Sequence, residues 1–147
     1  MDKEYLDRAH YAASPIRYLA LHDVPELLML CAEHAAFQNA EYTFDGKQTK
    51  LERVLETGSP ELIGWVAQLK GTLVASLTAT MDFSTWTAEA FMHLDCLYVR
   101  APYRGEGIGR ELIAIAIEEA GRRGIPELQQ HARMKVAGPP QRQSESR

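Results

Sequence analysis

Hydrophobic and polar positions change period several times along this chain, and each change marks an element. Residues 16–20 read as a short strand. His22-Asp23 then introduces a helical pattern, with Asp23 placed to cap it, Pro25 in its first turn and Glu26 close behind. Leu27, Leu28, Leu30, Cys31 and Ala35 give this helix an apolar face out to about Gln38. A second helix is predicted from about Thr49 to Glu56, with Leu51, Val54 and Leu55 as its stripe and Gly58 as its C-terminal cap. Period two then takes over. Residues 62–69 and 72–81 read as strands joined by Lys70-Gly71, a hairpin. Residues 82–87 read as a polar and aromatic loop, and residues 90–100 as the next strand, which Pro102 ends. Helical spacing returns through Ile108, Leu112, Ile115, Ala116 and Glu119, closed by Gly121 and Gly124, and residues 125–129 offer one more strand. Residues 1–13 form a polar lead. From about His131 apolar periodicity is lost, and residues 131–147 read as a disordered tail. A mixed α/β domain is therefore expected over residues 14–130.

A length of 147 residues suits one domain with a sizeable core. With 46% hydrophobic and 24% charged residues the composition is that of a soluble globular protein. A net charge of −4 argues against a dedicated nucleic-acid binder and leans toward a cationic small molecule. Cys31 and Cys96 show no metal-ligand spacing, so a bound metal is not expected, and both read as reduced thiols of a cytoplasmic protein. No apolar run is long enough to cross a membrane, and the N-terminus has no signal-peptide pattern.

The chemistry concentrates in Tyr103-Arg104-Gly105-Glu106-Gly107-Ile108-Gly109-Arg110, between a predicted strand and a predicted helix. A glycine-rich turn there aims backbone N–H groups and the positive end of the helix dipole at one point, a cradle for phosphate or pyrophosphate. Gly107 and Gly109 let the backbone approach a ligand where a Cβ would collide. Arg104 and Arg110 add charge beside it.

This turn, with Leu97-Tyr98-Val99 before it and the element order around it, resembles the acetyl-CoA signature of the GNAT N-acetyltransferases, Arg/Gln-x-x-Gly-x-Gly/Ala. The resemblance spans roughly residues 16–129. Phe83-Ser84-Thr85-Trp86 and Leu94-Asp95-Cys96-Leu97-Tyr98-Val99 are in addition similar to the diamine and spermidine/spermine branch. Asp95 stands where that branch has Glu, and Cys96 where it has Asp. The resemblance implies the GNAT fold and acetyl transfer from acetyl-CoA, without a metal, to the primary amine of a polyamine, amino acid or antibiotic. Family members continue with a further strand, a helix carrying a Tyr that protonates the CoA thiolate, and a final strand or two. No tyrosine follows Tyr103 here, so the fold is expected to lack its C-terminal helix and strands. Such a chain leaves an open sheet edge, which implies a homodimer or larger assembly. A CoA-binding but inactive remnant is the alternative to an enzyme.

Several roles follow from the resemblance. Leu97, Tyr98 and Val99 would hold the pantetheine arm and polarise the thioester carbonyl through backbone N–H. Arg104, Gly105, Glu106, Gly107, Ile108, Gly109 and Arg110 would hold the pyrophosphate. Asp95 is the chosen proton relay, with Glu41 and His93 as other candidates. Phe37, Glu41, Tyr42 and the nearby Phe44 would cover the acceptor, and Phe83 and Trp86 would line its pocket. Alternation along the strand sets His93 and Asp95 on one face and Cys96 on the other. Cys96 then reads as a small buried apolar group, which needs a neighbouring base before it could carry an acyl group. Glu118-Glu119 and Arg122-Arg123 read as a solvated helix face.

Overall fold

The computed structural model describes residues 14–58, 61–125 and 128–130. The lead expected at 1–13 and the tail expected at 131–147 lie outside these residues. The described elements are β1 (Ile16–Tyr18), a 3-10 turn (Leu21–Asp23), α1 (Val24–Phe37), α2 (Lys47–Thr57), β2 (Leu62–Leu69), β3 (Thr72–Ser84), β4 (Glu89–Val99), a second 3-10 turn (Ala101–Tyr103), α3 (Ile108–Arg122) and β5 (Leu128–Gln130). The strands form one sheet in the order β1-β2-β3-β4-β5. The first four run antiparallel, and β5 joins β4 in parallel.

Period-two segments became strands because each buries one face on α3. Leu77, Ala79, Met92, Leu94 and Leu97 from the sheet pack with Ile108, Leu112, Ala116 and Ala120 of α3 in the main apolar cluster. On the other face, α1 contributes Leu30 to a smaller cluster with Val66, Leu73 and Tyr98. Glu26 of α1 also reaches the sheet, where its carboxylate accepts the Leu73 N–H at 3.0 Å.

Four expectations change. The polar loop at 82–87 shortens, because β3 and β4 stay paired out to Ser84 and Glu89. Asp23 sits before α1 but makes no side-chain cap there. Its carboxylate instead accepts the Ala20 N–H at 2.7 Å and pairs with Arg17. Glu119 is not solvated. It is buried beside the sheet, accepting the Tyr18 hydroxyl at 2.6 Å and the guanidinium groups of Arg122 and Arg123 at 2.7 and 2.9 Å. The Tyr18 hydrogen bond, then the Arg123 one, hold its carboxyl down to about 2.

The fourth change concerns β4. Thr78 pairs with Cys96, whereas Ala79 pairs with Leu94, so Asp95 is an extra residue in a β-bulge. The bulge resets the alternation. Leu94 and Leu97 both face α3, and Cys96 turns toward α1 instead of away from it.

Candidate active site

The bulge lies where β4 parts from β5. Among the described residues, β5 pairs only with Met92, His93 and Leu94. Leu97–Val99 therefore have a strand partner on the β3 side, and none on the β5 side among the described residues. A cavity of about 320 Å³ opens at that point. Its walls are Leu97, Tyr98 and Val99 of β4, Gly109 in the first turn of α3, Arg104 in the connecting turn, and His34 and Phe37 of α1.

The turn into α3 has the geometry its glycines require. Gly105 and Gly107 take φ of 81° and 87°, values that an L side chain rarely adopts. Gly107 is the N-cap of α3, and no side chain caps the helix. The N–H groups of the first turn have no acceptor within the helix, and they face the mouth of the turn together with the dipole. Gly109 differs from its neighbours. A Cβ there would sit 3.6 Å from Val99 Cγ2, an ordinary contact, so the protein itself has room for alanine. N–H donors at the turn stand beside a cavity lined mainly by apolar side chains, an arrangement suited to an anionic group with an apolar extension.

Arg104 does more than add charge. Its Nε donates to Val99 O at 2.7 Å, and its guanidinium lies 4.6 Å from the Phe37 ring centre and 5.4 Å from that of Tyr98. It thus ties the end of α1 to the turn, with cation–π contacts on two rings. Glu106 and Arg110 are exposed, and Ile108 is buried in the main core.

On the α1 side of the bulge a polar group gathers. His34 is 8% exposed, stacks on Tyr98 with ring centres 5.0 Å apart, and places Nδ1 3.3 Å from Cys96 Sγ. Cys31 lies one turn earlier on α1. Burial raises its thiol pKa, a hydrogen bond with Tyr42 opposes that, and the Asp95 charge adds to it. Burial and the Cys31 thiol push the Tyr42 hydroxyl up as well. Lys47 Nζ stands 3.8 Å over the Tyr42 ring, and Phe44 meets that ring edge-on at 5.5 Å. Tyr42 thereby ties the segment between α1 and α2 to Cys31 of α1.

The structure thus brings together Leu97, Tyr98, Val99, Arg104, Gly109 and Phe37 around one cavity, whereas Asp95 and Tyr42 are not in its lining. Glu41 is exposed beside Tyr42. Phe83 and Trp86 are not brought in. Phe83 pairs with Ala90, five positions before Asp95 along β4, or roughly 16 Å at strand rise. Trp86 is 94% exposed in the hairpin turn beyond it. The β3–β4 pairing that extends the hairpin carries both residues away from the cavity. His93 is buried under the sheet face shared with Thr80. His34 was missed by the reading from sequence. Its signal was a polar residue in the α1 stripe at helical spacing from Leu27, Leu30 and Cys31. Among the described residues, no group of His, Cys, Asp or Glu could hold a metal ion, and no helix is long and apolar enough to cross a membrane.

The family model described as Acetyltransferase (GNAT) family matches residues 21–136. No curated protein is a significant match to the sequence. Solved structures do match. A ribosomal-protein-alanine N-acetyltransferase from Brucella melitensis biovar Abortus 2308 superposes with a TM-score of 0.63 at 24% identity, over 80% of this chain and 79% of that one. An aminoglycoside acetyltransferase from an uncultured soil metagenomic sample, in complex with sisomicin, gives 0.68 at 20% identity over 84% and 80%. A predicted acetyltransferase from Clostridium acetobutylicum, with acetyl-CoA, gives 0.67 at 20% identity over 80% and 79%.

Proposed function

Because the chain belongs to the acetyltransferase (GNAT) family, we propose that it transfers the acetyl group of acetyl-CoA to the primary amine of a small molecule. The observation that carries this reading is the cavity between the β5-side edge of Leu97–Val99 and the first turn of α3. Its position lets one ligand meet free N–H donors at one end and an apolar slot at the other. The turn from Arg104 to Arg110 holds the pyrophosphate, and Leu97–Val99 hold the pantetheine arm. A backbone N–H of that strand segment polarises the thioester carbonyl, which matters because negative charge grows on that oxygen in the transition state.

The acceptor approaches from the α1 side, under Phe37, Glu41 and Tyr42. An ammonium must lose a proton before its nitrogen can attack, and Asp95 takes that proton. The bulge supports this role, since such an irregularity re-aims a side chain out of the regular alternation. The net charge of −4 and the exposed Glu41 favour a cationic acceptor. Polyamines, amino acids and aminoglycosides share that chemistry, and the sisomicin-bound neighbour makes aminoglycosides one class to test.

The test is calorimetric titration with acetyl-CoA, with thiol release followed over spermidine, sisomicin and free amino acids on the same sample. Binding with release for one amine supports the proposal. Binding without release for any of them favours an acyl-CoA-binding module that does not turn over, and absence of binding rejects both.

A further inference from the structure

Resting on that reading, we propose that the Arg104 side chain is a positioning residue for the pantetheine end of acetyl-CoA, acting through Phe37, and not a charge for its pyrophosphate. The N–H groups of the turn keep that second task. Phe37 lines the cavity, yet it is the last residue of α1 and 59% exposed, so core packing does not hold its ring. Arg104 holds it instead. Its Nε donates to Val99 O at 2.7 Å, which fixes the guanidinium at the end of β4, 4.6 Å from the Phe37 ring centre. The same guanidinium stands 5.4 Å from the ring centre of Tyr98, another part of the cavity wall. One side chain therefore joins the β4 backbone, the Tyr98 ring and the end of α1.

A second arginine makes a parallel clamp on the same helix. Glu33 and Phe37 are four residues apart on α1 and so share a face. Arg100 and Arg104 flank the 3-10 turn that follows β4. Arg100 grips Glu33, with Nε donating to Oε1 at 3.1 Å and Nη2 2.9 Å from Oε2, and its Nη1 donates to Leu73 O at 3.1 Å. Glu33 Oε1 also accepts the Tyr98 hydroxyl at 3.4 Å. The Arg100 clamp is thus an ion pair outside the cavity lining, and the Arg104 clamp is a cation on a ring within it. The difference suits the place. A carboxylate instead of Phe37 would repel an anion bound at the turn, whereas a ring takes the guanidinium face and adds no charge. Lysine instead of Arg104 would keep the charge but lose the planar face and the Nε–H.

The experiment is calorimetric titration of the full chain and its variants with acetyl-CoA, and with phospho-ADP by competition. Phospho-ADP, the nucleotide half of CoA, keeps the pyrophosphate and lacks the pantetheine arm. Arg104→Lys and Phe37→Leu should each weaken acetyl-CoA binding about two- to fivefold, the effect of losing an exposed cation–π contact. The double variant should lose no more than the worse single one, because both break one contact. Phe37→Tyr should keep wild-type affinity, which apolar bulk alone would not explain beside the loss in Phe37→Leu. Phospho-ADP affinity should stay unchanged in all of them, and unfolding midpoints should stay near wild type. An equal loss for both ligands in Arg104→Lys, single losses that multiply in the double variant, or full acetyl-CoA affinity in Phe37→Leu overturns this inference and leaves the proposed function standing. Absence of acetyl-CoA binding by the wild-type chain overturns both.

Discussion

The two faces of the sheet are built for different work. On the α3 face, Leu77, Leu94, Leu97 and Leu112 pack in a continuous apolar cluster. Its polar margin, around Glu119, is closed by hydrogen bonds from Tyr18, Arg122 and Arg123. On the α1 face the apolar cluster is small, and beside it Cys31, His34, Tyr42, Asp95 and Cys96 gather over the bulge. The first face is where burial accumulates. The second gives up burial to keep titratable groups together near a cavity. One strand, β4, serves both, and a single extra residue lets it do so.

That contrast predicts how substitutions should divide. Leu112→Ala, fully buried on the α3 face, should cost about 2–5 kcal/mol of unfolding free energy, measured by denaturant titration, through lost transfer energy and a cavity. In the molecules that remain folded, affinity for acetyl-CoA should change little. Glu119→Gln should cost about 1–3 kcal/mol, because three donors lose a charged acceptor. Its carboxyl is held down to about 2 against an ordinary value of 4.5. The stability it provides is therefore complete above pH 4.5 and lost as pH falls toward 2. Unfolding midpoints of wild type and variant should converge over that interval, and a constant gap would mean the group acts by shape alone.

Smaller effects fall at the cavity and beyond it. Gly109→Ala should leave the unfolding midpoint near wild type, since the added Cβ meets Val99 at an ordinary 3.6 Å. Acetyl-CoA affinity should drop about tenfold, or ~1.4 kcal/mol, because the methyl group enters the ligand's space. Loss of stability with affinity intact would reverse the assignment of that wall. Trp86→Ala, at the exposed hairpin turn, should shift stability by less than about 0.5 kcal/mol and leave thiol release near wild type. A large rise in the acceptor's KM would return the hairpin to the acceptor site.

The order of elements and the glycine turn were legible from the chain because both depend on local rules. Period two, period 3.6 and the positive φ of Gly107 are properties of neighbouring residues. Gly58 could be placed as the α2 cap for the same reason, and it adopts φ of 77°. Residues whose roles depend on distant partners were read less well. Glu119 appeared solvated because Tyr18, a hundred residues away, was not yet beside it. Phe83 and Trp86 appeared to reach the site because nothing local tells how far a hairpin stays paired.

Sequence alone determined that a glycine turn would join a strand to a helix, since those preferences are written in a few adjacent residues. Tertiary structure decided what stands next to it. Whether strand alternation holds through Asp95 depends on the register between β3 and β4, a property of the pair and not of either strand. That register turned Cys96 from an expected core residue into the neighbour of His34, sixty-two positions away in the chain.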